Sequence, residues 1–391
     1  MMKKVVIVHT DFRIYWPARL KGLESIAQKQ GLELYVIEIA GKGSPYAFAG
    51  CETNLTGHWR ILFPEKKMED LSPSQIKPLL IRNLQEINPD IVVAGAIAFP
   101  SGAISVMWAK KNHKGVVIFD DTKVEDVPRG FFVNFIKKRI YRNVDSVVYP
   151  ASPWDKTAFS WGFKKEQIFY GVDVVDNNFW KLSDEPIILR EPKMVVVGRL
   201  VKRKNIDFLI RVFQECNTQD YELLIVGEGP EKNNLKCLAE SDQNIRFLPF
   251  MKQSELRELY KRVSAFIIPS TFDTWGLVIN EAMAAGLPVI ASSKCGATEV
   301  LVKDGVNGYV FNPEDDGTSM KKKLDVFFNL SEEARRELGL ASEKIISDWG
   351  IDRFAEEMLK AIDYAYRNKK KCVNIWDKLI LNLWKGRYRQ I

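Results

Sequence analysis

The sequence has little of what marks secreted, membrane-spanning or disordered proteins. Its five cysteines are scattered along 391 residues without paired spacing, so we expect free thiols in a reducing compartment. No apolar run reaches the length of a membrane span, and the run that follows Lys4 is too short for the core of a signal peptide. Hydrophobic residues make up 46% and charged residues 27%, as in ordinary globular proteins. We therefore expect a globular, cytoplasmic protein.

The charge balance is also modest. A formal net charge of +7 is small for this length and does not by itself indicate a nucleic-acid partner. A basic patch for an acidic ligand or for an anionic membrane accounts for it equally well. We expect no nucleic acid among the partners.

Apolar strands and helices alternate in two successive series. Segments typical of buried strands alternate with helical segments over residues 4–149, and the alternation resumes over residues 193–311. This pattern predicts an α/β protein with parallel sheets and helices on both faces. Because the pattern loosens over residues 173–192, we predict two Rossmann-like, doubly wound domains, residues 1–185 and 186–365, which face each other across a ligand cleft.

A basic strand-to-helix turn lies near the start of the second series. Gly198 and Arg199 directly follow an apolar strand, and Lys204 precedes the next helix. An arginine fork and a lysine point charge beside a helix N-terminus suit a diphosphate. Because Lys202 and Arg203 also lie in this turn, the alternative is an ordinary solvated turn.

The next strand ends in a glycine loop. Gly227, Glu228, Gly229 and Pro230 have the spacing of a nucleotide-binding loop. A single Gly-x-Gly is equally typical of a tight turn with proline at the start of a helix. Both interpretations stay open on this motif alone.

Two carboxylates flank the start of a later helix. Asp273 precedes Glu281, and Trp275, Gly276 and Leu277 lie between them where the helix begins. Carboxylates in such positions are often helix caps or partners of the helix dipole. Glu281, however, lies among apolar residues, where a buried carboxylate needs a partner such as the hydroxyls of a ribose.

The motifs of the second half form a recognisable series. From Met194 to Pro313 the chain contains, in order, GRL, KN, VGEGP, FLPF, ELRELY, PSTFDTWGLVINEAMAAGLPVIAS and CGATEVLVKDGVNGYVFNP. This series resembles the donor half of the retaining glycosyltransferases of family 4, also called glycosyl transferases group 1, which have the two-domain GT-B fold. The family has two glutamates around a Phe-Gly-Leu. Here Asp273 takes the place of the first glutamate and Trp275 that of the phenylalanine.

The resemblance implies roles for the charged residues. Arg199 and Lys204, beside Gly198, would hold the diphosphate of a nucleotide-sugar. Glu281 would bind the ribose, and Asp273 would face hydroxyls of the transferred sugar. Because aspartate is one methylene shorter than glutamate, the substitution leaves the identity of the sugar open more than the chemistry.

The other donor-side residues would act mainly through their backbone. Gly276 and Leu277, next to Trp275, would offer amides near the phosphates. The base would be bound beside residues of two loops, Glu228, Gly229, Phe250 and Met251. The chain has no Asp-x-Asp motif, so we expect a donor substrate but neither a metal nor another cofactor.

The first half resembles the family less closely. Family members often carry a Gly-Gly loop after the first strand, where this chain has His9 to Arg13. Many also carry a His-Asp where this chain has Asp120 and Asp121. Asp120 is therefore the candidate for the acceptor-side catalytic group, and the alternative is a helix cap or turn aspartate. His9 receives little weight because it ends a strand.

Two basic, aromatic segments predict contact with a membrane surface. They are residues 131–142 and 375–389. The alternative is that their apolar faces belong to the core, because the final helices of GT-B enzymes commonly pack back on the first domain. Here those helices would span about residues 366–391.

The sequence thus predicts a retaining hexosyltransferase. It would move a sugar from a nucleotide-diphosphate sugar to a hydroxyl of a glycan or lipid-linked glycan, in polysaccharide or lipopolysaccharide biosynthesis. The protein would be cytoplasmic and would work at the inner face of the plasma membrane. The alternatives are a sugar-nucleotide epimerase of the same fold and a non-catalytic partner subunit that binds nucleotide-sugars.

Overall fold

Two compact units make up the chain. The computed structural model describes residues 3–42, 58–182, 190–216, 220–370 and 375–386. The first unit comprises Met1–Val174 and Ile351–Ile391, and the second comprises Val175–Gly350.

The limits of the second unit differ from the predicted ones at both ends. The predicted boundary at residue 185 lies outside the described residues, and the units divide after Val174. The predicted boundary at residue 365 assigned residues 351–365 to the second domain, whereas they fall in the first unit. The cause is a helix, Ile351–Arg367, whose apolar face packs on the first sheet.

The first unit is built on a parallel sheet. Among the described residues its strands are β1 (Lys3–His9), β2 (Leu32–Ala40), β3 (Trp59–Phe63), β4 (Ile91–Ala94), β5 (Gly115–Phe119), β6 (Ser146–Tyr149) and β7 (Ile168–Tyr170). They are ordered β3-β2-β1-β4-β5-β6-β7, and each pairing is parallel. The inner strands are apolar on both faces because helices cover both sides of the sheet.

The second unit repeats this plan. Its strands are β8 (Glu191–Val197), β9 (Glu222–Val226), β10 (Ile245–Leu248), β11 (Val263–Ile268), β12 (Val289–Ser292) and β13 (Gly308–Phe311). They form a parallel sheet in the order β10-β9-β8-β11-β12-β13. Both sheets are therefore Rossmann-like, with the first strand of each unit in the interior of its sheet.

Helices connect the strands of both sheets. In the first unit they are α1 (Trp16–Lys29), α2 (Pro73–Ile87), α3 (Pro100–Lys111), α4 (Phe131–Tyr141) and α5 (Asp155–Trp161). The second unit has α6 (Asn177–Trp180), α7 (Ile206–Glu215), α8 (Lys232–Leu238), α9 (Gln253–Tyr260), α10 (Leu277–Ala284), α11 (Gly296–Leu301), α12 (Thr318–Phe328) and α13 (Glu332–Ile346). The chain then returns to the first unit, which also contains α14 (Ile351–Arg367) and α15 (Ile375–Leu383). No helix in the described ranges is both long enough and apolar enough to cross a bilayer.

Helix α14 completes the first unit. Phe354, Met358 and Ile362 recur every four residues and are at most 3% exposed, so they form one buried stripe. The helix contacts α1 and strands β4 to β7. Gly22 in α1 permits this approach, because a Cβ there would lie 2.2 Å from Cγ2 of Ile351.

Candidate functional site

The strand order of the second unit creates a crevice between β8 and β11. From β8 the chain builds β9 and β10 on one side, then crosses to β11 on the other. Ligands of open α/β sheets bind outside the carboxyl ends of the strands at such a point. Gly198 follows β8, and Pro269 and Ser270 follow β11, so the predicted basic turn and the predicted carboxylate loop meet here.

Lys204 and Asp273 form an ion pair at this crevice. The Lys204 ammonium contacts Oδ2 of Asp273, although the two residues are 69 positions apart. Their side chains are 15% and 13% exposed, so a ligand can reach both groups. The Ser270 hydroxyl also donates to Oδ2 of Asp273, at 3.3 Å.

Backbone contacts hold the basic turn against the carboxylate loop. Asn205 adopts a left-handed conformation, with φ of 56°, and its side-chain amide donates to the Pro269 carbonyl at 3.2 Å. The Thr271 amide donates to the Arg203 carbonyl at 2.9 Å. These contacts, rather than the ion pair alone, place Lys204 beside Asp273.

Arg199 lies on the exposed side of the same turn. It is exposed, and no ion pair joins its guanidinium to another residue in the described part of the chain. The structure therefore places an available cation two residues beyond the end of β8, in the turn that also supplies Lys204.

The glycine loop packs tightly against the basic turn. Gly227 has φ of +148°, and a Cβ there would lie 2.0 Å from the Gly198 carbonyl oxygen. A Cβ on Gly229 would lie 2.3 Å from the Leu200 carbonyl oxygen, and the Leu200 amide donates to the Glu228 carbonyl at 2.8 Å. The tight-turn interpretation is therefore correct for the backbone, and the loop also supports the residues predicted to bind phosphate.

The side chain of Glu228 points to solvent. It is 49% exposed and accepts a hydrogen bond from the Lys232 ammonium at 2.6 Å. The predicted base-binding residues Phe250 and Met251 follow β10, the edge strand next to β9. Phe250 is 37% exposed, so its ring is accessible at that edge.

The residues between the two carboxylates divide into backbone and core roles. Gly276 has φ of +98° and immediately precedes α10, which begins at Leu277. The Trp275 side chain is 2% exposed, donates from Nε1 to Oδ1 of Asn280 at 2.9 Å, and stacks on Trp349. Because its ring lies in the core, only the backbone of Trp275 could contact a donor.

Glu281 is buried on α10, as its apolar neighbours predicted. It is 2% exposed. Burial raises the pKa of Tyr260, and the nearby charge of Glu281 raises that pKa further. The structure thus places this carboxylate close to the α9 tyrosine, inside the second unit.

Sequence analysis missed two residues that position Asp273. One is Ser270, which donates to its carboxylate. The other is Cys295, which pairs with Asp273 in a parallel bridge and is buried. Burial and then the charge of Asp273 raise the pKa of the Cys295 thiol, so the thiol stays protonated beside the carboxylate.

The first unit has the corresponding crevice between β1 and β4. His9 is the last residue of β1, and Gly95 directly follows β4. A Cβ on Gly95 would lie 2.4 Å from Nδ1 of His9. The imidazole lies among aromatic rings, with the Phe119 centroid at 5.1 Å and the Trp16 centroid at 5.6 Å. Burial, together with the charge of Arg19, lowers the pKa of His9 to about 4. His9 is therefore a neutral polar group at the position that sequence analysis gave little weight.

Asp120 lies at the end of β5 in the first unit. Its Oδ1 accepts from the Thr122 amide at 3.0 Å, the turn contact that the alternative predicted. Its Oδ2 accepts from the Tyr141 hydroxyl at 3.2 Å. Burial lowers the pKa of Lys137 to about 8, although the Asp120 charge opposes that shift. Asp120 is thus a structured carboxylate in a polar cluster.

A second carboxylate of the first unit lies after β7. Burial, and then the charge of Asp121, raises the pKa of Asp173 to about 7, against the charge of Arg19. Arg19 donates from Nε and Nη2 to the Val174 carbonyl, at 3.0 and 2.8 Å. No three or more histidine, cysteine, aspartate or glutamate side chains in the described ranges are grouped to hold a metal.

Comparisons with known proteins identify the second unit more closely than the first. Residues 179–344, which lie within the second unit, match the family model of glycosyl transferases group 1. The chain is 26% identical over 343 residues to an uncharacterized glycosyltransferase of Haemophilus influenzae, covering 84% of this chain and 90% of that protein. It is 26% identical over 324 residues to a sulfoquinovosyl transferase of Arabidopsis thaliana, covering 75% of this chain and 61% of that protein. These matches support the group 1 glycosyltransferase family.

A solved structure shows the fold over most of the chain. The Anabaena protein HepE, solved in complex with UDP and glucose, superposes with a TM-score of 0.70 and 16% identity, covering 92% of this chain and 99% of that protein. The two Rossmann-like units of this chain therefore constitute the GT-B fold.

Proposed function

We propose that the protein is a retaining glycosyltransferase of family 4. It transfers a hexosyl unit from a nucleotide-diphosphate sugar to a hydroxyl of a glycan or lipid-linked glycan. The observation that carries this proposal is the convergence of Arg199, Lys204 and Asp273 at the β8/β11 crevice. The group 1 match over residues 179–344 and the UDP bound to the Anabaena neighbour support it.

The charges at the crevice suit a departing diphosphate. Arg199 can fork onto two phosphate oxygens, and Lys204 adds a point charge. Because Lys204 contacts Asp273 in this structure, an incoming diphosphate would share that ammonium or displace the carboxylate from it. Asp273 would then be available to accept hydrogen bonds from hydroxyls of the transferred sugar.

The proposed reaction breaks the bond from the anomeric carbon to the phosphate oxygen and forms one to the acceptor oxygen. The acceptor attacks from the face that the diphosphate leaves, so configuration is retained, and the acceptor proton passes to the departing phosphate oxygen. Arg199 and Lys204 stabilise the negative charge that develops there. We expect these two cations to suffice without a divalent metal, so transfer should survive chelation by EDTA.

The cellular setting is part of the same proposal. We assign the protein to polysaccharide or lipopolysaccharide biosynthesis, in the cytoplasm and at the inner face of the plasma membrane. Similar proteins include an alpha-monoglucosyldiacylglycerol synthase and a lipopolysaccharide outer core galactosyltransferase, and an extended acceptor attached to a lipid would be available at that surface.

A panel of nucleoside diphosphates tests donor binding directly. UDP, GDP, ADP and CDP are compared by thermal unfolding in EDTA, and the cognate nucleotide should add about 2.7 kcal/mol at 100 times its dissociation constant. The matching nucleotide-sugars are then incubated with and without glycan acceptors. An epimerised sugar formed without acceptor would favour the epimerase, and no binding of any nucleotide would favour the non-catalytic subunit.

A further inference from the structure

Helices α4 and α15 carry a cluster of exposed apolar side chains. Among the described residues the cluster consists of Phe131, Phe132, Phe135, Ile375, Trp376, Leu379 and Leu383. Phe131 and Phe132 are 79% and 78% exposed, and Ile375 and Trp376 are 77% and 66% exposed. Large side chains this exposed, and this concentrated on two neighbouring helices, indicate an interaction surface. The predicted segment 375–389 continues into residues 387–389, which lie outside the described residues.

An internal ion pair fixes the two helices to each other. Nη2 of Arg139 on α4 lies 2.7 Å from Oδ1 of Asp377 on α15, and the Asp377 side chain is 4% exposed. Ile140 and Leu381 are buried on the inner sides of the same helices. The inner sides are thus core, as the alternative interpretation predicted, while the outer sides carry the exposed cluster and are together called the α4–α15 face.

The charges on this face have one sign. Lys138, Arg142, Lys378 and Lys385 are exposed on the two helices or just beyond them. The single acidic side chain in the described α4 and α15 is Asp377, which is buried against Arg139. Aromatic and aliphatic groups among cations match an anionic lipid surface. A second copy of the chain would place like charges against each other.

Both helices also reach the acceptor-side loops of the first unit. At the C-terminal end of α4, the hydroxyl of Tyr141 donates a hydrogen bond to the Asp120 carboxylate. Just after α15, Nε1 of Trp384 donates to the Ile97 carbonyl at 2.8 Å. A Cβ on Gly386 would lie 2.6 Å from the Ala98 carbonyl oxygen, so this segment lies directly on the β4–α3 loop.

That loop belongs to the β1/β4 crevice. The ring of Phe99, in the same loop, lies 6.0 Å from the ring of His9. The segments that carry the α4–α15 face are therefore in direct contact with both the Asp120 loop and the loop beside His9.

We propose that the α4–α15 face docks on an anionic bilayer and brings the β1/β4 crevice to acceptors that are anchored in that bilayer. The identity of the acceptor as a glycosyl acceptor rests on the proposed function, whereas the docking itself does not. On docking, the exposed rings enter the headgroup region, and the four cations lie against lipid phosphates. The crevice is then held near the surface by the contacts of Tyr141 and Trp384.

Vesicle sedimentation tests the docking. The full-length protein is mixed with vesicles of phosphatidylcholine alone or with added phosphatidylglycerol, without nucleotide. It should bind the anionic vesicles and bind neutral ones far more weakly. The double substitution Phe132→Ser with Trp376→Ser should weaken binding at least ~10-fold, since two large rings leave the interface. Phe159→Ser, which changes a 49% exposed ring on α5, is the matched control and should bind normally.

The charge component is tested by Lys138→Gln with Arg142→Gln. Each lost cation should weaken binding to anionic vesicles about 5-fold, and salt should weaken wild-type binding similarly. Wild-type protein that stays in the supernatant would overturn the proposal. So would equal binding to neutral vesicles, or a wild-type oligomer that the Phe132→Ser, Trp376→Ser variant dissociates. Nucleoside-diphosphate binding, measured on the same samples, reports the donor site independently, so failure of docking and failure of the transferase function are distinguishable.

Discussion

The two units place their first strands at the same position in sheets of the same order, yet their crevices carry opposite chemistry. In the first unit, β1 ends at His9 among aromatic rings. In the second, β8 leads to Arg199 and to the ion pair of Lys204 with Asp273. His9 is a neutral imidazole among ring faces, with the Arg19 guanidinium close enough to lower its pKa, whereas Lys204 and Asp273 are charged groups that solvent can reach.

The difference shows how the side chains around a crevice give one sheet topology two different chemical environments. Burial holds the pKa of His9 at about 4, so that crevice keeps a neutral hydrogen-bonding group at pH 7. Lys204 and Asp273 remain partly exposed and form an ion pair with each other. A neutral polyhydroxyl suits the first environment, and a diphosphate suits the second. The comparison is therefore consistent with the proposed function, in which the acceptor binds the first unit and the donor binds the second.

The largest expected effect is at the charged crevice. Lys204→Ala should reduce transfer about 100- to 1000-fold, because it removes a cation from the developing charge on the diphosphate. Steady-state kinetics and calorimetric titration with the cognate diphosphate measure this loss. Lys202→Ala, in the same turn but exposed, is the control and should retain most activity. Full activity in Lys204→Ala would contradict the proposal that the diphosphate binds at the charged crevice.

The next effect concerns the loop that supports those cations. Gly227→Ala should cost roughly 3 kcal/mol of stability in the second unit, because its φ and the nearby Gly198 carbonyl leave no room for a Cβ. Gly198→Ala is the matched control, since a Cβ there would meet Lys204 Cε at an ordinary 3.6 Å. Hydrogen exchange of β8 and β9 reports the loss. Equal stability of the two variants would contradict the tight packing of the loops.

We expect the buried imidazole of His9 to make the free energy of unfolding depend on pH. Because the pKa of His9 falls from 6.5 unfolded to about 4 folded, the unfolded chain binds more protons between these values. Stability from His9 is therefore complete above pH 6.5 and is lost as pH falls, by about 2.5 kcal/mol at about pH 4.5. His9→Gln should remove this part of the pH dependence in denaturant unfolding.

Two carboxyl groups of the first unit act in the opposite sense. Burial raises the pKa of Glu38 and of Asp173 to about 7, so the folded state keeps their protons and stability declines as pH rises toward 7. Because wild type and His9→Gln both contain Glu38 and Asp173, subtracting their free energies of unfolding at each pH cancels the contribution of these carboxyl groups. A pH-independent difference would show that His9 titrates normally.

The smallest expected effect is a change in the selectivity between donor sugars. Asp273→Glu lengthens the carboxylate by one methylene and should change the ratio of kcat/KM between two donor sugars by about 10-fold. Competition between epimeric nucleotide-sugars measures it. Ser270→Ala, which removes a hydrogen bond to Asp273 but keeps its length, should lower activity without changing that preference.

Much of the fold follows from local sequence patterns. The alternation of apolar strands with helices over residues 4–149 and 193–311 predicted the two parallel sheets, because the inner strands of each sheet are buried and strongly apolar. Strands β3 and β7 have weaker sequence signals. The first is only partly buried at the sheet edge, and the second has three residues, too few for a periodic pattern.

The site was less accessible to sequence reasoning. Arg199, Lys204 and Asp273 were singled out, but the contact of Lys204 with Asp273 spans 69 residues and depends on the pairing of β8 with β11. The inward-facing ring of Trp275 depends on Trp349, far away in sequence. The lowered pKa of His9 depends on rings from several elements, which no short window of sequence contains.

The interrupted chain of the first unit also sets an order of assembly during translation. Residues 175–350 are continuous, so the second unit can fold as soon as it has left the ribosome. The first sheet must wait for α14, whose apolar stripe covers β5 to β7. Until residue 367 emerges, that sheet face is exposed to water and to chaperones. The nascent protein therefore completes its second unit before its first, although most of the first unit is synthesised earlier.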